Sequence, residues 1–190
     1  MDPFLISTLV VALAEIGDKT QLLAILLATR FKRPVPIILG ILVATLANHA
    51  LAATAGFFIS GITAASWFGY AIGASFVAMA LWTLVPDKAD DLVERPARLG
   101  VFLTTTIAFF LVEMGDKTQV ATVALAARYH SIWLVAAGTT LGMMLANVPA
   151  VYLGEAATKI VPMSVVRIGA ASLFAIIGIW TLLQTAGILS

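Results

Sequence analysis

Two stretches of seven residues set the terms for any fold of this chain. Glu15-Ile16-Gly17-Asp18-Lys19-Thr20-Gln21 and Glu113-Met114-Gly115-Asp116-Lys117-Thr118-Gln119 differ at one position, Ile16 against Met114, and begin 98 residues apart. Each sets two carboxylates and an ammonium inside a long apolar run. A charge at the centre of a bilayer costs about 2.5–3.5 kcal/mol on insertion scales, so such residues face a bundle interior or a wet cavity and mark a working site.

The surroundings of the two stretches are those of a membrane protein. Of 190 residues, 61% are hydrophobic and 11% charged, where soluble domains carry about 25% charged residues. A span needs about 20 apolar residues, so the chain has room for about six spans and no sizeable soluble domain. A net charge of +1 does not suggest nucleic acid as a partner. The absence of cysteine excludes disulfides, thiolate metal sites and cysteine nucleophiles. Met1-Asp2-Pro3-Phe4 lacks a basic leader, so no cleaved signal peptide is expected.

Six apolar runs follow in order, over residues 4–29, 37–62, 67–85, 99–127, 132–154 and 165–188. Residues 86–98 are the one substantial hydrophilic segment and read as a solvated linker. The halves match beyond the charged stretches. Ala28-Thr29-Arg30-Phe31 answers Ala126-Ala127-Arg128-Tyr129, Leu46-Ala47-Asn48 answers Leu145-Ala146-Asn147, and Leu81-Trp82-Thr83-Leu84 answers Ile179-Trp180-Thr181-Leu182, at offsets of 98, 99 and 98. The expected organisation is a first repeat over 1–85, a linker over 86–98 and a second repeat over 99–190.

Three spans per half is an odd number, so the second half enters the membrane from the opposite side. The expected fold is therefore all-α: six transmembrane helices as an inverted 3+3 repeat about an axis in the membrane plane. That axis brings the two charged stretches together near the midplane. Arg30, Lys32, Arg33, Lys88, Arg95, Arg98, Lys159 and Arg167 fall on one side and Arg128 on the other. The positive-inside rule then places both termini outside the cytoplasm.

On a continuous helix Glu15, Asp18 and Lys19 share a face, and Thr8 extends it; Glu113, Asp116, Lys117 and Thr106 repeat the pattern. A different geometry fits equally well. Asp18 to Gln21 and Asp116 to Gln119 have the form of a capping box after a glycine, which would break the helix mid-membrane. Both remain open at this level. One reading of the charges is a pair of neutralising i,i+4 contacts, Glu15–Lys19 and Glu113–Lys117, which leaves Asp18 and Asp116 unexplained. The alternative is an ion. Four carboxylates and two ammoniums sum to −2, which one divalent cation neutralises, and oxygen ligands without sulfur suit Ca2+, Mg2+ or Mn2+. Glu15, Asp18, Glu113 and Asp116 are the candidate metal ligands, with Gln21, Asn48, Gln119 and Asn147 as further oxygen donors. Protons compete with a metal for such crowded carboxylates, which is the chemistry of an antiporter. His49 reads as a packed core residue and His130 as a solvated one at a membrane edge.

Two copies of Glu-φ-Gly-Asp-Lys-Thr, one per half, resemble the signature of a small membrane family of divalent-cation/proton exchangers. It includes bacterial MneA-type manganese exporters and Golgi calcium/manganese transporters. The resemblance covers the whole chain and carries functional roles onto Glu15, Asp18, Lys19, Thr20, Glu113, Asp116, Lys117 and Thr118. It implies a secondary transporter, not an enzyme, that exports Mn2+, or Ca2+ in some members, from the cytoplasm in exchange for protons. The short middle segment is similar to compact bacterial members, which implies a multi-pass protein of the bacterial inner membrane. The expected partners are the divalent ion, protons and the lipid bilayer, with a homodimer left open and no prosthetic group. Export of an amino acid or small organic cation, and an intramembrane metal-dependent enzyme, are the competing readings.

Overall fold

The structure is a computed structural model, and it describes residues 2–62, 67–85, 100–153 and 163–189. Among these, every regular element is an α-helix. The order is α1 Pro3–Glu15, α2 Lys19–Phe31, α3 Pro34–Ile62, α4 Trp67–Thr83, α5 Gly100–Glu113, α6 Lys117–Tyr129, α7 Ile132–Leu153 and α8 Met163–Thr185. The hydrophilic segment 86–98, Glu155 and Lys159 lie outside the described residues, as does the side chain of Arg167.

The first and fourth apolar runs are each two short helices and not one long one. α1 and α2 meet at Ile16 to Asp18, and α5 and α6 meet at Met114 to Asp116. Among the described residues three helices are long and apolar enough to cross a membrane by themselves: Pro34–Gly61, Ile132–Leu153 and Ile168–Thr185. Pro3–Glu15, Trp67–Thr83 and Gly100–Glu113 are shorter apolar helices. Without water to satisfy a free backbone, hydrocarbon leaves a chain of this composition little choice but helix.

Local signals set the ends. Asp2 caps α1, its carboxylate accepting from the Leu5 amide at 3.0 Å, and Pro3 fills the first turn where no amide is needed. α2 closes on Lys32 and α6 on His130, both left-handed, with φ of 53° and 50°. Pro34 then opens α3.

The interior is layered. One apolar cluster joins Val10 and Ala14 of α1, Ala53 of α3, Phe76 of α4, Leu125 of α6, Val135 of α7 and Phe174 of α8. A second joins Leu23 of α2, Ile37 and Ile41 of α3, Phe109 of α5 and Ala150 of α7. The breaks between α1 and α2 and between α5 and α6 therefore fall between the two clusters. Between the clusters α3 buries Thr45, Asn48 and His49, and α7 buries Asn147, with Thr139 and Thr140 about two turns earlier on α7. A polar layer is thus sealed above and below by apolar packing. Burying this much apolar surface at about 25 cal/mol per Å2 would stabilise a soluble core; here, with lipid as the solvent outside, close packing contributes more.

Glycine permits that closeness. α1 crosses α7 where Gly138 and Gly142 face it, and a Cβ on Gly142 would lie 2.5 Å from the Thr8 carbonyl oxygen and 2.8 Å from the Ala12 amide nitrogen. Gly56 of α3 lies against the Val123 carbonyl of α6 in the same way. Gly142→Ala should therefore force α1 and α7 apart at a cost of about 1–3 kcal/mol. Gly61→Ala, with nothing within 4 Å of its new Cβ, should be neutral. Thermal stability of the two variants in detergent, followed by size-exclusion chromatography, checks the difference.

Candidate metal centre

The break is built identically in both halves. Gly17 and Gly115 have φ of 81° and 78°, a conformation that side-chain-bearing residues rarely adopt. Asp18 and Asp116 follow with φ of −80° and ψ of 167° and stand at the N-caps of α2 and α6. The amide of each aspartate donates to the carbonyl of the preceding glutamate, Glu15 or Glu113, at 3.1 Å.

Asp18 and Asp116 stand at the expected N-caps, but the reciprocal bonds of a capping box are not made. Gln21 and Gln119 reach back, accepting from the Gly17 amide at 2.9 Å and the Gly115 amide at 2.7 Å. Neither aspartate uses its side chain as a cap. The glutamine has taken over an orphan donor, which leaves the aspartate carboxylates for other partners.

Those partners lie in the opposite half. Lys117 Nζ stands 2.8 Å from Asp18 Oδ1, and Lys19 Nζ stands 3.0 Å from Asp116 Oδ1. Lys117 and Asp18 are both buried, whereas 22% of the Lys19 side chain is exposed. The ion pairs therefore run between the motifs. Because the helix breaks at the glycine, i,i+4 spacing no longer decides which charges meet.

Glu15 and Glu113 are 0% exposed. Each accepts from the threonine five residues on: Thr20 Oγ1 donates to Glu15 Oε2 at 2.5 Å and Thr118 Oγ1 to Glu113 Oε2 at 3.1 Å. Among the described residues, Glu15 Oε1, Glu113 Oε1 and Asp116 Oδ2 are buried without a hydrogen-bond partner. Glu15, Glu113 and Asp116 each bring one oxygen to within 4.8 Å of the others. Three acids from two motifs thus converge on one point, and Asp18 stands beside them against Lys117.

The amides are placed at the same level. Gln21 Nε2 donates to the Ala146 carbonyl of α7, and Asn48 Nδ2 donates to the Phe110 carbonyl of α5. Asn147 Nδ2 bonds the Met143 carbonyl and its sulfur. Both asparagines keep a buried carboxamide oxygen with no partner among the described residues. Gln119 is half-buried, more open than Gln21. Thr8 and Thr106, expected to lengthen the polar stripe, instead bond the Phe4 and Phe102 carbonyls of their own helices. His49 is fully buried, both ring nitrogens without a partner among the described residues, and His130 is exposed, its Nδ1 3.1 Å from Ser60 Oγ.

Such a centre has the donors a hard cation needs. Carboxylate and carboxamide oxygens are present, no thiolate is, and the charges of four acids and two lysines sum to −2. The N-termini of α2 and α6 both end here, where their dipoles favour negative charge.

The family model of the divalent cation/proton antiporter GDT1 matches residues 3–91 and 101–188. A protein of Vibrio cholerae serotype O1 named "Putative manganese exporter" is 46% identical over 183 residues, covering 95% of this chain and 90% of its own. A GDT1-like protein of Synechocystis is 29% identical over 202 residues, covering 94% and 97%, and GDT1-like protein 5 of Arabidopsis thaliana is 26% identical over 209, covering 90% and 91%. No solved structure matches.

Removing one member of a buried ion pair strands the other. Asp18→Asn or Lys117→Gln alone should cost about 3–5 kcal/mol. The double variant should recover most of that loss, and Lys19→Gln, at the more exposed pair, should cost less. A double-mutant cycle on thermal or denaturant stability reads all four.

Proposed function

The chain belongs to the divalent cation/proton antiporter family GDT1, and from that premise we propose that it exports a divalent cation, Mn2+ ahead of Ca2+, from the cytoplasm in exchange for protons. The observation that carries the reading is the convergence of Glu15, Glu113 and Asp116 on one buried point from two separate motifs. The similarity to a Vibrio cholerae protein named for manganese export supports Mn2+ over Ca2+.

The residues divide the work. Asp18–Lys117 and Asp116–Lys19 neutralise each other, which leaves the two glutamates to supply −2. One divalent cation balances that charge, and so do two protons, so either occupant keeps the apolar interior neutral and an empty, charged site is disfavoured. Glu15, Glu113 and Asp116 hold the ion first. Asp18 joins as the fourth acid when Lys117 turns away, and Asn48, Asn147, Gln21 and Gln119 complete an oxygen shell with water and backbone carbonyls. Thr20 and Thr118 orient the glutamates through the bonds they already make.

The halves are read as inverted repeats over 1–85 and 99–190, joined by 86–98, with both termini outside the cytoplasm of a bacterial inner membrane. Supporting this are the matched breaks, caps and left-handed helix ends at an offset of 98 residues. All the acids come from one chain, so the reading needs no second copy.

Reconstituted protein tests it, with a Mn2+-quenched dye and a pH dye inside the same vesicles. Mn2+ entry should coincide with proton exit and be driven by an imposed pH gradient. Glu15→Gln and Glu113→Gln should lower the flux about 100-fold, and Thr20→Val about tenfold, in line with the effects of direct and outer partners of a metal. Flux unaffected by Glu113→Gln would refute the site; Mn2+ entry indifferent to pH would refute the exchange.

A further inference from the structure

The two halves have the same local structure but not the same surroundings. α4 packs on α6 and α8 packs on α1. The repeat-related contacts, α8 on α2 and α4 on α5, are not formed to a comparable extent among the described residues. The apolar cluster that contains α1 and α6 includes Phe76 of α4 and Phe174 of α8, while the cluster of α2 and α5 has no residue from either.

This asymmetry reaches the motifs. Thr83 of α4 is buried and lines a small cavity with Gly17, Asp18 and Lys117, so it covers the first break. Its repeat mate Thr181 is elsewhere. Arg128, at the far end of α6, donates through Nη1 to Thr181 Oγ1 and through Nη2 to Gln184 Oε1 at 3.4 Å. The second break is correspondingly bare: Leu111 is 46% and Met114 57% exposed, and Gly115 is exposed, whereas Leu13, Ile16 and Gly17 are half-buried.

The α4–α8 pair itself is symmetric. Gly69 faces Thr185 and Gly73 faces Leu182 in an antiparallel register that sets Ala78 level with Ile176, which are repeat mates. A symmetric assembly would put Ala78 beside the first break, yet Thr83, five residues on, is there. The pair is displaced along its axis by about 7.5 Å, and exchanging the environments of the halves moves it about 15 Å.

Arg30 is the repeat mate of Arg128 and holds the same posture, each guanidinium carbon 5.6 Å from the ring centroid of the next residue, Phe31 or Tyr129. Arg30 is exposed and, among the described residues, donates no side-chain hydrogen bond.

We propose that Arg128 and Arg30 are alternate latches for the α4–α8 pair, which slides as one body between two positions. In the present one Arg128 holds Thr181 and the pair lies against the α1/α6 side, away from the α2/α5 side, where Arg30 lies. In the other, Arg30 holds Thr83, Thr181 covers the break at Gly115, and the pair lies against α2 and α5. The inference rests on the inverted-repeat reading above. Arg128 and Arg30 act through the pair and touch no ion, so they are positioning residues.

The chain has no cysteine, so introduced pairs report cleanly. R128C/T181C and R30C/T83C are treated in membranes with a bis-methanethiosulfonate reagent whose spacer is about the length of an arginine side chain. Each pair should crosslink, and adding Arg128→Ala to R30C/T83C should raise its crosslinking about tenfold, the worth of a charge-assisted bond. Arg128→Lys, which keeps the charge, should raise it less. A merely structural Arg128 would lower protein yield without changing that ratio. Closing the R128C/T181C crosslink should stop transport, and reductant should restore it. Failure of R30C/T83C to crosslink even with Arg128→Ala, where R128C/T181C does, or no response to Arg128→Ala in folded protein, overturns the proposal. The crosslinks are read on a gel without any ion: alternation with no Mn2+ flux would refute the proposed cargo alone, and Mn2+ flux without alternation would refute the latches alone.

Discussion

A buried charge in an apolar bundle must find a partner, and in this chain each motif finds its partner in the other. Lys117 answers Asp18 and Lys19 answers Asp116, so neither motif can be withdrawn without stranding charges of both signs. Several local features follow from that demand. The glycine at the break turns the aspartate out of its own helix axis, the glutamine takes over the orphan amide, and the aspartate is left to cross to the other half. Threonine holds one oxygen of each glutamate and leaves the other for whatever occupies the centre.

The rest of the fold keeps that crossing in place. α3 and α7 run through both apolar clusters and carry the polar residues that lie between them. Their glycines bring backbones close enough that the motif helices cannot shift independently. α4 and α8 pack on one side of this framework, where Arg128 holds Thr181 and Gln184 of α8, and among the described residues they make no comparable contact with α5 and α2. The two motifs thus share one local structure, while among the described residues the α4–α8 pair packs unequally on the two sides of the framework.

Much of this is legible in the residues. The apolar runs at 37–62, 67–85, 132–154 and 165–188 coincide with α3, α4, α7 and α8 to within a few residues, because a helix in hydrocarbon is bounded by where polar residues resume. The two motifs mark where the centre lies. Helical spacing fails at the motif itself: it groups Glu15, Asp18 and Lys19 on one face only while the helix continues, and the positive φ at Gly17 ends it. The partner of Lys19 is therefore Asp116, far off in sequence, and no local pattern points to it. Thr8 and Thr106 depart from expectation for a related reason, since a threonine in an apolar helix can satisfy itself on the carbonyl four residues back.

If the two motifs are halves of one centre, a single divalent cation sits between them, and anomalous scattering at the manganese edge from crystals soaked in Mn2+ locates it. One peak is expected, in contact with Glu15, Glu113 and Asp116, and lost in Glu113→Gln. A saturated crystal with no peak there, or with one that persists in Glu113→Gln, would contradict the shared site.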